Sequence, residues 1–145
     1  MKFPEPGPGL VFRYSYLWHA ESTQGREDGT KDRPCAVVLS VRDVLGRENV
    51  VALPVTHSQP RDPLEAVEIP EGTKRRLGLD AQRSWIVLTE SNRFIWPGPD
   101  LRPSRNGDLD SVAYGLLPRK FFLQVRERWL ALAKARQSRM VGRTE

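Results

Sequence analysis

The apolar residues of this chain fall into short runs separated by breaks rich in glycine, proline and charge, a spacing typical of β-strands. Regular structure is expected to begin near Leu10, and residues 11–18 (VFRYSYLW) are rich in β-forming residues, which predicts a first strand. Residues 34–41 (PCAVVLSV) form a nearly continuous apolar run, as expected of a central strand buried on both faces. Residues 49–56 (NVVALPVT) follow a turn around Gly46 and predict its partner strand.

Further strands and one long helix are predicted downstream. Residues 64–69 alternate cleanly between apolar and polar, which indicates a half-buried strand. Residues 84–92 (SWIVLTESN) predict a strong strand that extends to Trp96, and residues 114–117 predict a short one. From Pro118 onward, apolar residues recur at helical spacing and predict an amphipathic helix of about five turns. These apolar residues are Phe121, Phe122, Val125, Trp129, Leu132 and Ala133.

Two long polar segments, residues 19–32 and residues 100–111, predict loops, and loops of this length are usually functional or disordered. Residues 73–80 predict a short helical turn. Pro54 predicts an edge or a bulge in its strand, because proline cannot donate a hydrogen bond to a neighbouring strand. Several short strands followed by one helix predict a mainly β, α+β fold, a small bent antiparallel barrel with a C-terminal amphipathic helix packed on it.

The composition is that of one globular domain: 145 residues, 39% hydrophobic and 28% charged. No apolar run approaches the roughly 20 residues that a membrane-spanning helix needs, and the N-terminus lacks the apolar core of a secretory signal. We therefore expect a cytoplasmic protein without a membrane segment. Cys35 is the only cysteine, so we expect no disulfide, no four-ligand zinc site and a buried, apolar role for its side chain.

The net charge of +5 lies entirely in the C-terminal segment. Residues 1–118 hold 15 Lys and Arg against 16 Asp and Glu, whereas residues 119–145 hold eight against two. Such a basic stripe attracts nucleic acid or an acidic protein partner, although a solvated helix face has the same composition. We divide the chain into an extended lead (1–8), one domain (9–137) and a basic C-terminal tail (138–145).

The order of several motifs carries a family resemblance. A Pro-Gly-apolar start at residues 8–11 leads into the first strand, Arg33-Pro34 opens the apolar strand, and residues 53–56 (LPVT) end the next one. A stretch at residues 89–103 (TESNRFIWPGPDLRP) completes the order. In this order the motifs resemble the PemK/MazF-type toxins of bacterial toxin–antitoxin systems. The resemblance covers nearly the whole chain.

The resemblance implies an SH3-like barrel that forms a homodimer and cleaves single-stranded RNA without a metal or other cofactor. Such toxins inhibit translation and growth until a cognate antitoxin, usually with an acidic tail, occupies the RNA groove. The toxin and its antitoxin together also bind DNA. These properties are expectations that follow from the resemblance alone.

The resemblance also implies catalytic residues. Arg33 and Thr56 match the catalytic arginine and threonine of the family, and a guanidinium suits a phosphate because it donates two hydrogen bonds in a fixed fork. Glu90 lies near a position where PemK-type members carry an aspartate that acts as acid or base, and it is a third catalytic candidate. Those members carry an arginine two residues earlier, where this chain has Leu88, which leaves the phosphate role with Arg33. Glu90 has a second interpretation, in which it orients Arg33 or Arg93.

Other residues are candidates for RNA contacts, namely His19, His57, Ser58, Asn92 and Arg93. Either histidine is suited to proton transfer near neutral pH. Aromatic side chains are candidate platforms for stacking of bases, with Trp85 and Trp129 expected in the core; the platforms considered are Tyr14, Tyr16, Trp18, Trp85 and Trp96. Two alternatives stay open: a non-enzymatic member of the same fold that acts on a protein target, and a catalytically degenerate member that binds nucleic acid or protein. Gyrase-directed relatives end in Trp-Gly-Ile, which this chain lacks.

Overall fold

The structure, a computed structural model, describes residues 1–25, 29, 31–104 and 111–143. Within these residues the chain is mainly β, as the sequence predicts, with nine strands, three α-helices and a 3₁₀ turn at Pro63–Glu65. The strands are β1 (Leu10–Tyr14), β2 (Arg33–Arg42), β3 (Glu48–Thr56), β4 (Ala66–Glu68), β5 (Trp85–Val87), β6 (Glu90–Trp96), β7 (Leu101–Arg102), β8 (Ala113–Leu116) and β9 (Arg139–Gly142). The helices are α1 (His19–Ser22), α2 (Glu71–Leu77) and α3 (Arg119–Lys134).

The strands pair in the order β4-β5-β3-β2-β1-β7, and β3 also pairs with β6 while β1 also pairs with β8. All pairs are antiparallel except β6–β9, which is parallel. Among the described residues the two ends of this order, β4 and β7, do not pair with each other, so the hydrogen-bonded sheet is not closed.

β2 is buried on both faces over Cys35–Val38, as predicted, whereas Leu39 and Val41 of the same apolar run are exposed. Ala36 and Val38 of β2 face a cluster covered by α3, whereas Cys35 and Val37 face a second, aromatic cluster. Alternation along a strand sends successive side chains to opposite faces, which explains why this segment reads as a continuous apolar run. Cys35 is fully buried, as expected. Helix α3 packs on the first cluster through Phe122, Val125 and Trp129, which confirms the predicted amphipathic helix.

The strand predicted over residues 84–96 is wrong as a single element. β5 and β6 both pair with β3, but their registers differ: Val55 lies opposite Ile86, and Val51 lies opposite Arg93. Three extra residues therefore bulge away between the two pairings. Leu88 lies in this bulge with its side chain fully buried in the cluster under α3. Because β5 ends and β6 begins beside residues 53–54 of β3, the strand tolerates Pro54, which has no N–H to donate.

The predicted basic tail is also wrong over residues 139–143. Residues 139–142 form β9 beside β6, and the side chain of Arg143 is 2% exposed. Its guanidinium donates to the Ser15 carbonyl, to Asn92 Oδ1 and, at 2.6 Å, to Asp100. A buried arginine pairs in this way because an unpaired charge away from water is very costly.

Three further differences concern short elements. β1 ends at Tyr14, four residues before the predicted end, and the predicted loop at residues 19–32 begins with α1. The predicted loop at residues 100–111 begins with β7, and its residues 105–110 lie outside the described residues, as do residues 144–145. In the described part of the chain, no helix is both long and apolar enough to cross a membrane.

Candidate functional site

A groove of about 680 Å³ opens where β2 begins, β3 ends and α2 turns toward β5. Both strand ends carry polar residues at this rim, and the turn after α2 supplies the opposite wall. The residues that line the groove include four basic side chains and two carboxylates: Arg13, Lys31, Arg33, His57, Asp32 and Asp80. Trp18, Thr56, Ser58, Ser84, Ser104 and Tyr114 are also among its lining residues.

Arg33 is the first residue of β2, which places it at the rim of this groove. Its Nη1 donates to the carbonyl of Val55 at 3.3 Å, and its guanidinium carbon lies 4.7 Å from the centroid of the Trp18 ring. Its Nε is buried and has no hydrogen-bond partner among the described residues. A buried donor without a partner is rare, and each one calls for an explanation such as an absent ligand.

Arg33 also makes no ion pair with a described carboxylate. The neighbouring Asp32 instead lies 4.0 Å from Arg13 and 3.6 Å from Arg102. Burial lowers the pKa of the Arg33 guanidinium, while nearby acidic groups, Glu21 among them, act in the opposite direction. Arginine nevertheless keeps its charge in proteins. The groove therefore holds a cation whose hydrogen-bonding capacity is only partly used.

Thr56 ends β3 and lines the same groove as Arg33. Cys35 lies opposite Pro54 in the β2–β3 pair, and the same register continued by two residues brings Arg33 opposite Thr56. Thr56 Oγ1 accepts a hydrogen bond from the Ser58 backbone N–H at 3.2 Å, which holds the chain in a turn as it leaves the strand. Of the predicted site residues, Arg33, Thr56, His57 and Ser58 thus come together at one groove.

His57 has a partner that the sequence analysis missed. Its Nε2 lies 2.8 Å from Asp80 Oδ2, and the other oxygen of Asp80 accepts from Lys74 Nζ at 3.0 Å. Lys74 is only 5% exposed and also donates to the Gln82 carbonyl. Burial acts to raise the pKa of Asp80, but the hydrogen bond and charge of Lys74, with His57, lower it overall. No local pattern signals this contact, because residues 57 and 80 lie on different elements.

A second, smaller groove of about 320 Å³ adjoins the first. The two share Trp18, Thr56 and Ser58, so they form one continuous depression. The second groove has less charge, since Glu65 is its only charged lining residue among those described. Its remaining lining residues are Gln59, Pro60, Ala66, Val87 and Thr89.

Glu90 and His19 are not among the residues that line either groove. Glu90 Oε1 accepts from the Tyr16 hydroxyl at 3.0 Å and from the His19 backbone N–H at 2.9 Å, so it fastens the start of α1 to β6. It makes no ion pair with Arg33 or Arg93, so the structure does not bring it into the direct contact that the orienting role expects, and its catalytic role stays a prediction. The ring of His19 contacts Arg139 instead, with 3.3 Å between His19 Nδ1 and Arg139 Nη1.

Asn92 and Arg93 do not reach the groove either. Asn92 is fully buried, where its amide donates to the Leu17 carbonyl at 2.7 Å and accepts from the Leu17 N–H at 2.9 Å. The Asn92 amide therefore bonds to both backbone groups of Leu17, as a neighbouring strand would. Because the amide is used in this way, the Asn92 side chain is not available to RNA in this structure. Arg93 is exposed on β6, in register with Val51 and Gly142.

Of the candidate stacking platforms, only Trp18 lines the groove. Tyr14, Tyr16 and Trp96 are buried in the aromatic cluster, where the Tyr14 and Phe94 rings stack with 4.6 Å between centroids. Trp85 and Trp129 are buried as predicted, each 6% exposed. The aromatic residues of β1 and β6 thus build the core, and Trp18 is left to face a ligand.

The described residues contain no group of three or more His, Cys, Asp or Glu side chains that could hold a metal ion. No protein-family model matches this chain, and no curated protein matches it significantly.

Proposed function

We propose that this protein is an endoribonuclease that cleaves single-stranded RNA in the groove around Arg33. The observation that carries the proposal is the half-buried guanidinium of Arg33. Its Nε is buried without a hydrogen-bond partner in the described part of the chain, and a tryptophan lies against its face. Phosphate, like carboxylate, is a ligand that arginine recognises with two parallel hydrogen bonds. Single-stranded RNA presents such a phosphate together with bases that stack on aromatic rings.

The cleavage uses the 2′-hydroxyl of the RNA as its nucleophile. The 2′-oxygen attacks the adjacent phosphorus, and negative charge develops on the phosphate oxygens in the transition state. Arg33 stabilises that charge, and the hydroxyl of Thr56 donates a further hydrogen bond to the same phosphate. The bond to the 5′-oxygen then breaks and leaves a 2′,3′-cyclic phosphate and a 5′-hydroxyl. No step of this scheme needs a metal ion or another cofactor.

The wider proposal follows the resemblance to PemK/MazF-type toxins. In it the open sheet with α3 packed on it is an SH3-like barrel, and the protein acts as a homodimer in the cytoplasm. Cleavage of mRNA stops growth until an acidic antitoxin covers the groove. Sedimentation at micromolar concentration tests the dimer, since a single monomeric species contradicts it.

A second function, binding without cleavage, is favoured by two specific observations. Leu88 is buried in the core at the position where related toxins carry an arginine, and Glu90 lies outside the groove. Two groups that serve catalysis in the family are thus absent from this groove. RNA that is retained but not cut identifies this binding module.

The deciding experiment mixes purified protein with a long unstructured RNA in EDTA and maps the ends of the products. We expect cleavage with 5′-hydroxyl ends, and we expect Arg33→Ala to lower the rate about 10²–10³-fold, the cost of losing one oxyanion donor. Arg83→Ala is the matched control, because Arg83 also lies over a tryptophan, with 4.9 Å to the Trp85 centroid, but does not line the groove. Full activity of folded Arg33→Ala contradicts the proposal.

A further inference from the structure

A chain of hydrogen bonds leads from the groove into the core through His57, Asp80 and Lys74. Lys74 lies at its inner end, nearly buried, and a buried ammonium group is tolerated only when it is paired. The left-handed conformation of Gly78 ends α2, and the Leu79 N–H then bonds to the Lys74 carbonyl. This turn brings Asp80 back over Lys74 and beside His57.

The same contacts set the tautomer of His57. The pKa of Asp80 lies below its ordinary value, mainly because the favourable contacts of Lys74 outweigh the effect of burial. Asp80 is therefore a carboxylate at neutral pH and can only accept hydrogen bonds. It follows that His57 Nε2 carries the proton that Asp80 accepts. In the neutral ring Nδ1 then holds a lone pair, and no described residue bonds to it.

We propose that His57, oriented by Asp80, is the general base of the RNA cleavage, an inference that rests on the function proposed above. His57 Nδ1 takes the proton of the 2′-hydroxyl as the 2′-oxygen forms its bond to phosphorus. The bond from phosphorus to the 5′-oxygen breaks, and its electron pair stays on that oxygen, which takes a proton from water. The imidazolium later returns its proton to solvent. Asp80 and Lys74 are positioning residues, since they act through His57.

The other groups that face the groove are less suited to this proton transfer. Asp32 is held near Arg13 and Arg102, and burial raises the pKa of the Tyr114 hydroxyl, so it stays protonated. The remaining charged groups at the groove are cations that have no lone pair to offer at neutral pH, namely Arg13, Lys31 and Arg33. His57 is thus the described group at this site whose ring nitrogen Nδ1 carries a lone pair that can accept the proton.

The test compares cleavage and binding in one substrate pair: an RNA oligonucleotide that spans the site cut by the wild type, and the same oligonucleotide with a 2′-deoxyribose at that site. His57→Gln should lower the single-turnover rate about 10²–10⁴-fold, the usual contribution of a general base. It should leave affinity for the deoxy analogue within about twofold. Added imidazole should restore part of the rate of His57→Ala.

Asp80→Asn tests the positioning role. We expect a lower rate with unchanged affinity, and ¹⁵N spectra in which the single Nε2–H tautomer of His57 becomes a mixture, with His19 as the internal reference. Asp43→Asn is the matched control, because Asp43 also accepts from basic and backbone groups but lies at the β2–β3 turn, away from the groove. This control should cleave at the wild-type rate.

The outcomes separate the inference from the proposed function. Wild-type cleavage that persists at full rate in His57→Gln overturns the inference and leaves the nuclease in place. A parallel loss of rate and affinity also overturns it, since His57 would then bind RNA rather than move a proton. Absence of cleavage by the wild type removes both proposals. A mixed tautomer in the wild type contradicts the role of Asp80 even if His57 is essential.

Discussion

The ring of Trp18 lies against the guanidinium of Arg33, with 4.7 Å between the guanidinium carbon and the ring centroid. Trp18 in turn packs edge-on against Tyr16, and its neighbour Leu17 is hydrogen-bonded at both backbone groups to the Asn92 amide. Arg33 is therefore held at the groove by Trp18, and Trp18 is held in place by the hydrogen bonds between its neighbour Leu17 and Asn92 of β6.

We predict that Trp18→Ala weakens RNA binding about tenfold, because it removes both the cation–π contact with Arg33 and a surface for base stacking. Trp18→Phe keeps an aromatic face and should retain most of the affinity. Equilibrium binding to the deoxy oligonucleotide measures both variants, with circular dichroism to check the fold. Equal losses in the two variants would mean that the indole size, and not the aromatic face, matters.

Asn92 supports the same platform from within the core. Asn92→Ala leaves the N–H and the carbonyl of Leu17 without their partner, so we expect the free energy of unfolding to fall by about 2–4 kcal/mol. Cleavage should fall as well, since Leu17 precedes Trp18. Urea denaturation measures the stability change. Arg93→Ala is the control: Arg93 is the next residue and is exposed, so its loss should change stability by less than about 0.5 kcal/mol.

The fold is predictable from this sequence as far as local patterns reach. The alternation and the apolar runs of β2 and β3 reveal the central strands, and the helical spacing after Pro118 reveals α3. The break at Leu88 is not visible in the sequence, because its neighbours Ile86, Val87 and Thr89 favour a strand and the bulge arises from the register with β3. β9 cannot be recognised from the sequence for a similar reason, since it depends on pairing with β6, which lies far away in the sequence.

The candidate site is also predictable only as far as local strand patterns reach. Arg33 and Thr56 stand at the ends of adjacent strands, so the strand pattern brings them to one rim. The sequence does not reveal that Asn92 and Glu90 hold backbone groups of Leu17 and His19, because polar residues in a strand near a groove have the same pattern whether they face a ligand or the chain itself. Asp80 and Lys74 carry no sequence signal, since their pairing depends on how α2 turns at Gly78.

The side chain of Arg143, in the segment predicted as a tail, is buried, and its loss should destabilise the protein. Arg143→Met removes hydrogen bonds to Ser15, Asn92 and Asp100, and we expect the free energy of unfolding to fall by about 3 kcal/mol or more. Arg139→Met, at the start of β9, is the control, because Arg139 is exposed. Thermal or urea denaturation compares them, and similar stabilities for the two variants would contradict the buried role of Arg143.

The turn between β2 and β3 gives a pH-dependent test that does not involve the groove. Asp43 accepts hydrogen bonds from the backbone N–H groups of Arg47 and Leu45 and from the side chains of Arg47 and Asn49. These contacts, led by the Arg47 N–H, lower its pKa from 3.8 to about 2. A carboxyl whose pKa is lowered by folding stabilises the folded state above its unfolded pKa, and this contribution disappears as the pH falls through the folded pKa.

We therefore expect Asp43→Asn to be less stable than the wild type at pH 5–7, and the difference to shrink between about pH 4 and pH 2 as Asp43 becomes protonated. Urea denaturation followed by tryptophan fluorescence, repeated at each pH, measures the difference directly. High salt should reduce only the part that comes from the exposed Arg47 ion pair, because exposed charges are screened whereas the backbone hydrogen bonds persist. A difference that stays constant down to pH 2 would show that the shape of the side chain, and not its charge, stabilises the turn.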